Sequence, residues 1–354
     1  MSLRDELEAF VAARGPAGDE GAVAEVFEDR IAPHVDNIEW DAMGNVVATD
    51  EGPSDHEILI TGHTDELTLL VDGVTDDGFV SYSKVGGHYK GNFIGQEVVI
   101  GPDEVPGVIG TKCRHHTTPD ERERLLADDL YIDVGAESPK EVQALNIEPG
   151  DHATWNQTVT ELGYERVAGR AIDDRIALAI LVKLAQQMET DSTVHYVATV
   201  QEEIGLRGAR AIGYSVDPDV GIAVEIFPSD DYPAADGGGQ DINLGDGPVI
   251  ELADGNEYLF DGILVDRQTL SWLRQAAERT GVDSQFGVMI NGTTDASELQ
   301  RVRGGRHAGA IGVPCRYTHS PVETISLADA KETVAVLAEA CESEFPARSS
   351  VRSG

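Results

Sequence analysis

Two amphipathic patterns and two short extended runs open the chain. The first pattern places apolar residues at helical spacing among charged ones, at Leu3, Leu7, Phe10 and Val11. A second helical pattern covers 23–31, and extended runs at 38–40 and 46–49 flank the turn Met43-Gly44-Asn45. These patterns predict two helices that each bury one face, followed by a β-hairpin.

The sequence pattern changes after the next predicted strand, at 57–61. A compact apolar run at 57–61 is typical of a buried strand. From about 67 to 164, short β-like pieces are separated by Gly, Pro and Asp, and strands are expected at 98–100, 108–109 and 130–134. This stretch is predicted to form a separate, mostly β domain.

Helical and extended patterns alternate beyond residue 165. The helices are expected at 176–188, 206–213, 267–280 and 327–345, and the strands at 193–200, 221–226, 286–290 and 310–311. This alternation predicts an α/β fold with a mixed, largely parallel sheet flanked by helices.

The simplest domain organisation is one discontinuous α/β domain, 1–66 with 165–354, interrupted by an inserted β domain at 67–164. Three domains in series is the alternative. It is disfavoured because a first piece of about 65 residues, with few strands and no partner sheet, would be marginally stable alone.

Charge excludes several classes of partner. The 354 residues include 26 Lys and Arg against 64 Asp and Glu, a formal net charge of −38. A field of this sign repels phosphate backbones and anionic lipid headgroups, so neither nucleic acid nor a membrane is an expected partner. No apolar run approaches the ~20 residues that span a bilayer, and the charged N-terminus lacks a signal-peptide core. We therefore expect a cytoplasmic protein.

The choice of basic residues and cysteines refines this picture. Six Lys against 20 Arg, in so acidic a chain, resembles proteins of salt-loving archaea; an ordinary acidic cytosolic protein is the alternative. Cys113, Cys315 and Cys341 are odd in number and far apart, which fits a reducing compartment.

Ionisable residues cluster where predicted strands end. The residues at or just beyond strand ends are His63, Asp65, Glu202, Glu203 and Glu225. Asp173 lies where a loop enters the apolar helix, and His319 follows a short apolar run. Ligands bind outside the carboxyl ends of strands in open α/β sheets. Imidazoles and carboxylates gathered at one rim are the donors expected for zinc or a similar divalent ion.

Asp173 and Asp174 have a simpler alternative interpretation as a helix cap. Against it, the helix that follows is apolar on nearly every face and should be buried beside the sheet. Asp173 would then face the interior, where an unpaired carboxylate is costly.

Seven ordered blocks across nearly the whole chain resemble a known family. They are Gly15-Pro16-Ala17-Gly18-Asp19-Glu20; Asp41 with Gly44-Asn45; Gly62-His63-Thr64-Asp65-Glu66; Tyr131-Ile132-Asp133-Val134-Gly135-Ala136; Gly169-Arg170-Ala171-Ile172-Asp173-Asp174-Arg175; Val200-Gln201-Glu202-Glu203-Ile204-Gly205-Leu206-Arg207-Gly208-Ala209; and Pro314-Cys315-Arg316-Tyr317-Thr318-His319-Ser320-Pro321. The sequence is similar to the dinuclear metalloaminopeptidases of the M42 family, which are related to glutamyl and deblocking aminopeptidases.

The resemblance implies a metal site. Two divalent ions, zinc or cobalt, would share Asp173 as a bridge, with His63 and Glu203 on different ions and His319 completing the set. The remaining ligand position falls on Glu225, where family members commonly have Asp. A glutamate offers the same two oxygens but is longer by a methylene, so the geometry of that site is an open question.

The resemblance also implies roles for two further carboxylates. Asp65 would accept a hydrogen bond from the second ring nitrogen of His63 and so fix its tautomer. Glu202 would be the general base that takes a proton from a metal-activated water, which attacks the scissile carbonyl and releases the N-terminal residue of a short peptide. The fold implied is of the zinc-peptidase type, with 67–164 mediating assembly into a large homo-oligomer such as a dodecamer.

Two other functions are weighed against this one. Paired carboxylates also serve glycoside hydrolysis of the endoglucanase kind, but that chemistry leaves His63 and His319 without a role. A binding or scaffold protein in which Glu225 has impaired one metal site is the other alternative. Sensitivity to chelators and metal content would separate the three.

Overall fold

A computed structural model describes residues 1–120, 130–233, 235 and 240–345. Its α-helices, in chain order, are α1 (Leu3–Ala12), α2 (Gly21–Ile31), α3 (Pro139–Ala144), α4 (Ile172–Gln187), α5 (Arg207–Val216), α6 (Arg267–Thr280), α7 (Asp295–Leu299) and α8 (Leu327–Glu342).

The described residues form one large sheet of 11 strands and one small barrel. The sheet strands are β1 (Asn37–Trp40), β2 (Val46–Asp50), β3 (Glu57–His63), β10 (Thr160–Glu161), β11 (Arg166–Gly169), β12 (Thr193–Thr199), β13 (Val220–Pro228), β14 (Val249–Gly255), β15 (Gln285–Ile290), β16 (His307–Arg316) and β17 (Glu323–Ser326). Their order is β1-β2-β12-β3-β13-β16-β17-β11-β10, with β14 paired to β16 and β15.

The centre of this sheet is parallel and its margins are antiparallel. β12, β3, β13 and β16 run in the same direction, whereas β1 with β2, and β16 with β17, pair antiparallel. In β3, Ile58 and Ile60 pack into one core and Leu59 into another. Both faces of the central strands are therefore buried, as expected for parallel strands covered by helices.

Helices cover both faces. The larger core joins one face to α1, α2, α4, α6 and α8, and a smaller core joins the other face to α5 and α7. Helix α4 is buried along most of its length, from Ile172 to Leu184, which explains its apolar composition. It packs against β3 and so brings its N-terminal end to the carboxyl end of the sheet.

The small barrel lies between β3 and β10 in the chain. Its closed order is β4 (Thr68–Val74), β5 (Val80–Val85), β8 (Tyr131–Asp133), β7 (Val105–Gly110), β6 (Glu97–Ile100) and β9 (His152–Trp155). It has a hydrophobic core of its own that includes Leu69, Phe93 and Ile100. The barrel strands fall within the predicted insertion, and β10 already belongs to the large sheet.

The predicted fold class is confirmed: a mixed, largely parallel sheet flanked by helices carries a mostly β insertion. The hairpin at the N-terminus is present as β1 and β2. In the large sheet, the predicted strands do not include β10, β11, β14 and β17. Of these, β14 lies among Gly and Asp, and β17 runs directly into the pattern of α8. None of the helices described has the length and apolarity needed to cross a membrane.

Candidate metal centre

Parallel strands of the central sheet end at one edge, and ionisable side chains follow those ends. His63 closes β3 in register with Thr199, the last residue of β12, and Glu202 and Glu203 come just after it. Glu225 lies in the neighbouring strand β13. The carboxyl ends of parallel strands share one edge, so these side chains converge there.

Asp173 and His319 reach the same edge from other elements. Asp173 stands at the start of α4 with non-helical backbone dihedrals, ahead of the regular turns. His319 follows the end of β16. The carboxylate of Asp173 contacts both imidazoles, so its role is not that of a helix cap alone.

The potential metal ligands form two sets of three that share Asp173. The His63 set consists of His63, Asp173 and Glu225, and the His319 set consists of Asp173, Glu203 and His319; in each, the ligand atoms lie within 4.8 Å of one another. His63 Nε2 is 3.1 Å from Asp173 Oδ1 and 3.9 Å from Glu225 Oε2. His319 Nε2 is 3.5 Å from Asp173 Oδ2 and 3.7 Å from Glu203 Oε2. Asp173 thus presents a different oxygen to each set.

These spacings fit a divalent ion. Ligand atoms about 2.0–2.1 Å from a tetrahedral ion are separated from each other by roughly 3.4 Å. The nitrogen and oxygen donors suit zinc and similar ions. The residues present therefore fit the metal that the sequence implies.

Both imidazoles are held in the tautomer that leaves Nε2 free to bind. His63 Nδ1 donates to the main-chain oxygen of Asp65, 3.0 Å away, and His319 Nδ1 donates to the main-chain oxygen of Gly87, 2.8 Å away. A carbonyl can only accept, so Nδ1 carries the proton in each ring. Nε2 is therefore the ring nitrogen that faces the shared carboxylate in both histidines, and the one that a metal ion would take in place of a proton.

Asp65 acts mainly on the loop that carries the two glutamates. Its Oδ1 lies 3.5 Å from His63 Nδ1, farther than its main-chain oxygen, so the predicted contact is made chiefly by the main chain. The carboxylate accepts hydrogen bonds from the backbone N–H groups of Glu202, at 2.9 Å, and Glu203, at 3.0 Å. Asp65 therefore links the end of β3 to the loop after β12.

Glu202 lies beside the His63 set but outside both sets. Its Oε2 is 3.9 Å from His63 Nε2, and its side chain is almost wholly buried. A carboxylate in this position can exchange a proton with a group bound between the two sets.

The electrostatics of the site call for positive charge. Burial raises the pKa of Glu203 to about 7 and holds those of Glu202 and Glu225 well above the ordinary range. Although burial disfavours the imidazolium, the carboxylates of Glu203 and Asp173 raise the pKa of His319 to about 11. Among the side chains that the structure describes, the positive partners of these carboxylates are His63 and His319. Bound cations would replace the protons that this crowding otherwise retains.

Glu323 is a supporting residue that sequence reasoning missed. Its Oε2 accepts from the Asp173 N–H at 3.0 Å, and its Oε1 accepts from the His319 N–H at 2.9 Å. It is buried, and that burial raises its pKa well above the ordinary range. A single Glu before a helix carries no signal of such a role in the sequence.

The barrel also contributes to the site, through the loop after β5. Besides the Gly87 oxygen, the side chain of Asn92 donates to the main-chain oxygen of His319 at 3.1 Å. Sequence reasoning gave the insertion no role in the site. Only the docking of the barrel brings this loop to a residue more than 220 positions away.

A cavity of about 520 Å³ opens onto the two sets. Asp173, Glu202, Glu203 and Glu225 form its charged end, and Ile226, Met289 and Ile290 contribute an apolar wall. The space is sufficient for one or two amino-acid residues beside the candidate metal centre.

Comparisons with known proteins agree with this geometry. A family model described as M42 glutamyl aminopeptidase matches residues 44–336. The lysyl aminopeptidase of Pyrococcus furiosus is 28% identical over 322 residues, 88% of each chain.

Two solved structures resemble the whole chain. An aminopeptidase from the archaeon Desulfurococcus kamchatkensis superposes with a TM-score of 0.91 at 32% identity and covers 97% of this chain and 95% of its own. The TET1 peptidase of Pyrococcus horikoshii, whose description states that it can assemble into a tetrahedron or a large octahedral shell, has a TM-score of 0.85 at 30% identity. It covers 97% of this chain and 100% of its own.

Proposed function

The chain belongs to the M42 glutamyl aminopeptidase family and is a metal-dependent aminopeptidase, and we propose that it removes N-terminal residues from short peptides with two divalent ions. The His63 set and the His319 set would each hold one ion, with Asp173 between them. Zinc and cobalt are the ions that best suit these donors.

One observation carries the proposal: two imidazoles aim their Nε2 atoms at different oxygens of one buried carboxylate. A shared carboxylate between two nitrogen donors is the arrangement required to bridge a pair of cations. The further carboxylates of Glu203 and Glu225 complete a set of three potential ligands around each ring nitrogen, which a simple ion pair does not require.

The chain's own residues supply the proton transfer. Divalent ions at this site would acidify a water molecule and polarise the scissile carbonyl. Glu202 accepts the proton of the attacking water and then delivers it to the leaving amine. The Asp65 carboxylate accepts a hydrogen bond from the backbone N–H of Glu202 and so positions that residue. The same carboxylate accepts from the backbone N–H of Glu203, which serves as a metal ligand.

Glu225 is proposed as the remaining ligand in spite of its extra methylene. Its Oε2 lies as close to His63 Nε2 as that of Glu202, and it belongs to the His63 set. This placement argues against a scaffold protein with one disabled site. The glycoside-hydrolase alternative gives neither His63 nor His319 a role.

The test of the proposal separates proton transfer from metal binding. In Glu202→Gln we expect hydrolysis of aminoacyl anilides to fall by about 10²–10⁴-fold, because the proton acceptor is lost, while metal content stays at the parent value. In His63→Ala the metal content itself should fall. His195→Ala is the matched control, because His195 lies on β12 between Thr49 and Glu57, away from both sets. Loss of metal in Glu202→Gln would mean that Glu202 is the ligand and Glu203 the general base. Activity that survives chelation would refute the metal mechanism.

We propose further that the protein forms a homo-oligomer through the barrel. Two features support this: the barrel is a closed body with its own core, and the similar TET1 peptidase assembles into shells. Light scattering should give a particle mass many times that of one chain, and replacing the barrel residues 68–155 by a short linker should lower it. An unchanged mass after that replacement would refute the role of the barrel.

A further inference from the structure

A second cavity lies beside the candidate metal centre. It has a volume of about 1010 Å³, and Gly205 lines both this cavity and the one at the metal centre. Gly205 follows Glu202 and Glu203 in a tight loop in which its N–H donates to the Glu202 oxygen. The two cavities therefore adjoin directly after the proposed general base.

The second cavity is basic, although the chain as a whole is strongly acidic. Four arginines line it, and we name it the arginine cleft after them: Arg207, Arg210, Arg301 and Arg303. Among the described residues of its lining, Glu298 is the acidic one. A chain with a formal charge of −38 thus gathers positive charge in one concave surface next to its active site.

Neighbouring groups fix three of these side chains in place. Arg303 Nε donates to the main-chain oxygen of Tyr214 at 2.6 Å, and the Arg303 guanidinium lies 4.1 Å from the centre of the Tyr214 ring. Arg301 donates to the Gly262 oxygen at 2.9 Å, and Arg207 donates to Gln201 Oε1 at 3.2 Å. A guanidinium has five N–H groups, so each arginine keeps donors for a ligand. Such preorganisation lowers the entropy lost on binding.

Arg210 has a largely exposed side chain and only a weak ion pair. Its side chain is 78% exposed, and its closest carboxylate is Glu298, 4.0 Å away. Glu298 is already paired with Arg301 at 3.1 Å. Arg210 can therefore turn toward a ligand without breaking a strong contact.

A short peptide whose first peptide bond lies at the metal centre extends its other end away from that centre. The terminal carboxylate of the peptide suits guanidinium groups, which bind carboxylates in a two-pronged geometry. We propose that the arginine cleft binds the C-terminal carboxylate of a short peptide whose N-terminus lies at the metal centre. This inference rests on the proposed function and adds a substrate class to it: short peptides with a free C-terminus.

The inference predicts a length preference. An extended peptide advances about 3.3 Å per residue, so only peptides of a certain length bring their carboxylate into the cleft while the first peptide bond is at the metal centre. The acidic surface outside the cleft repels a peptide carboxylate, so binding of that carboxylate is favoured at the arginines alone.

The test compares matched peptides with a free or an amidated C-terminus, from two to six residues long, with the full-length metal-loaded protein. In the parent we expect kcat/KM for the free acid to exceed that for the amide by roughly three- to tenfold at one or two peptide lengths. The difference should arise from a lower KM for the acid, and added salt should reduce it. Arg210→Gln and Arg303→Gln should each bring the ratio toward one and leave hydrolysis of the amides unchanged. Arg274→Gln is the matched control, because Arg274 is an exposed arginine on α6 that stacks on Phe286 outside the cleft.

Three outcomes would overturn the inference. The first is equal kcat/KM for acid and amide at every peptide length. The second is an equal loss of kcat/KM for acids and amides in the cleft variants. The third is a fall in particle mass in those variants, which would mean that the cleft is an interface between copies of the chain. Aminoacyl anilides, which have no C-terminal carboxylate, distinguish this failure from failure of the proposed function. If the anilides are hydrolysed but no peptide pair differs, only the cleft inference is wrong.

Discussion

His319 is held by groups from both structural bodies of the chain. Its backbone is in the left-handed region, with φ at 60°, an unfavourable conformation for a residue with a Cβ. Glu323 accepts its N–H, Asn92 donates to its oxygen, and the Gly87 oxygen accepts from its ring. The large sheet supplies the first of these contacts, and the barrel loop supplies the other two. The orientation of one proposed ligand thus depends on the docking of the barrel.

This arrangement predicts a selective effect of Asn92→Ala. Loss of the hydrogen bond from Asn92 to the His319 oxygen should let the His319 backbone relax. The affinity of the His319 set for its ion should then fall by about tenfold, while the His63 set keeps its affinity. Calorimetric titration of the metal-free protein with Zn²⁺ would measure the two sites. Gln157→Ala is the matched control, since Gln157 is another barrel amide that bonds to Gln96 instead of His319. Equal weakening of both sites would contradict the prediction.

Glu225 allows a test of ligand charge against ligand length. Glu225→Gln removes the negative charge and should reduce metal content from two ions toward one per chain. Glu225→Asp keeps the charge, shortens the side chain by one methylene and should retain two ions. Metal analysis after dialysis near molar salt would decide. Two ions in the Gln variant would show that Glu225 is not a ligand.

At the scale of elements, the packing of α4 on β3 decides where the shared carboxylate lies. Gly62 precedes His63 in β3, and a Cβ there would come within 2.6 Å of the Ala177 Cβ on α4. The absence of a side chain lets the helix approach the strand closely. That approach brings Asp173, at the start of α4, to within 3.1 Å of His63.

Gly62→Ala should therefore destabilise the fold and disturb the site together. Overpacking of this kind costs about 1–3 kcal/mol in the free energy of unfolding, measurable by urea denaturation, and metal affinity should fall with it. Gly21→Ala, in α2, is the control, because a Cβ there meets nothing within 4 Å; it should be neutral or stabilising. Parent-like stability and metal affinity in Gly62→Ala would mean that the strand and helix can separate without moving Asp173.

At the scale of the whole molecule, a formal charge of −38 opposes folding by self-repulsion. The Debye length falls from about 10 Å at 0.1 M salt to about 3 Å at 1 M, so added salt should relieve this repulsion. Bound divalent ions should add to the effect, because they bind the folded state and neutralise its most crowded carboxylates.

We expect the thermal unfolding midpoint to rise with KCl between 0.1 and about 2 M, with about 1–2 °C gained for each kcal/mol of repulsion removed from a chain of this length. EDTA should lower the midpoint at every salt concentration, and most strongly at low salt. Scanning calorimetry of metal-loaded and chelated protein would measure both effects. A midpoint independent of salt would show that self-repulsion does not limit stability.

The sequence by itself determined most of the elements and most of the candidate site. Periodicity located the strand that ends at His63, the apolar helix after Asp173 and the strand that carries Glu225, because burial of one or both faces of an element leaves a local pattern. The rule that strand ends share one edge then placed these residues together. The imidazoles and carboxylates at that edge indicated a divalent ion. The resemblance of seven sequence blocks to the M42 family added the aminopeptidase chemistry.

Only the tertiary structure decided which residues complete the site. Glu323 supports Asp173 across 150 positions, and Gly87 touches His319 across 232. The four arginines of the cleft come from two separate stretches of chain, 207–210 and 301–303. Such contacts depend on how separate elements dock, and docking is governed by the summed packing of many side chains rather than by any local pattern. Local periodicity therefore predicted the elements, and the metal environment and the arginine cleft emerged only once those elements were packed together.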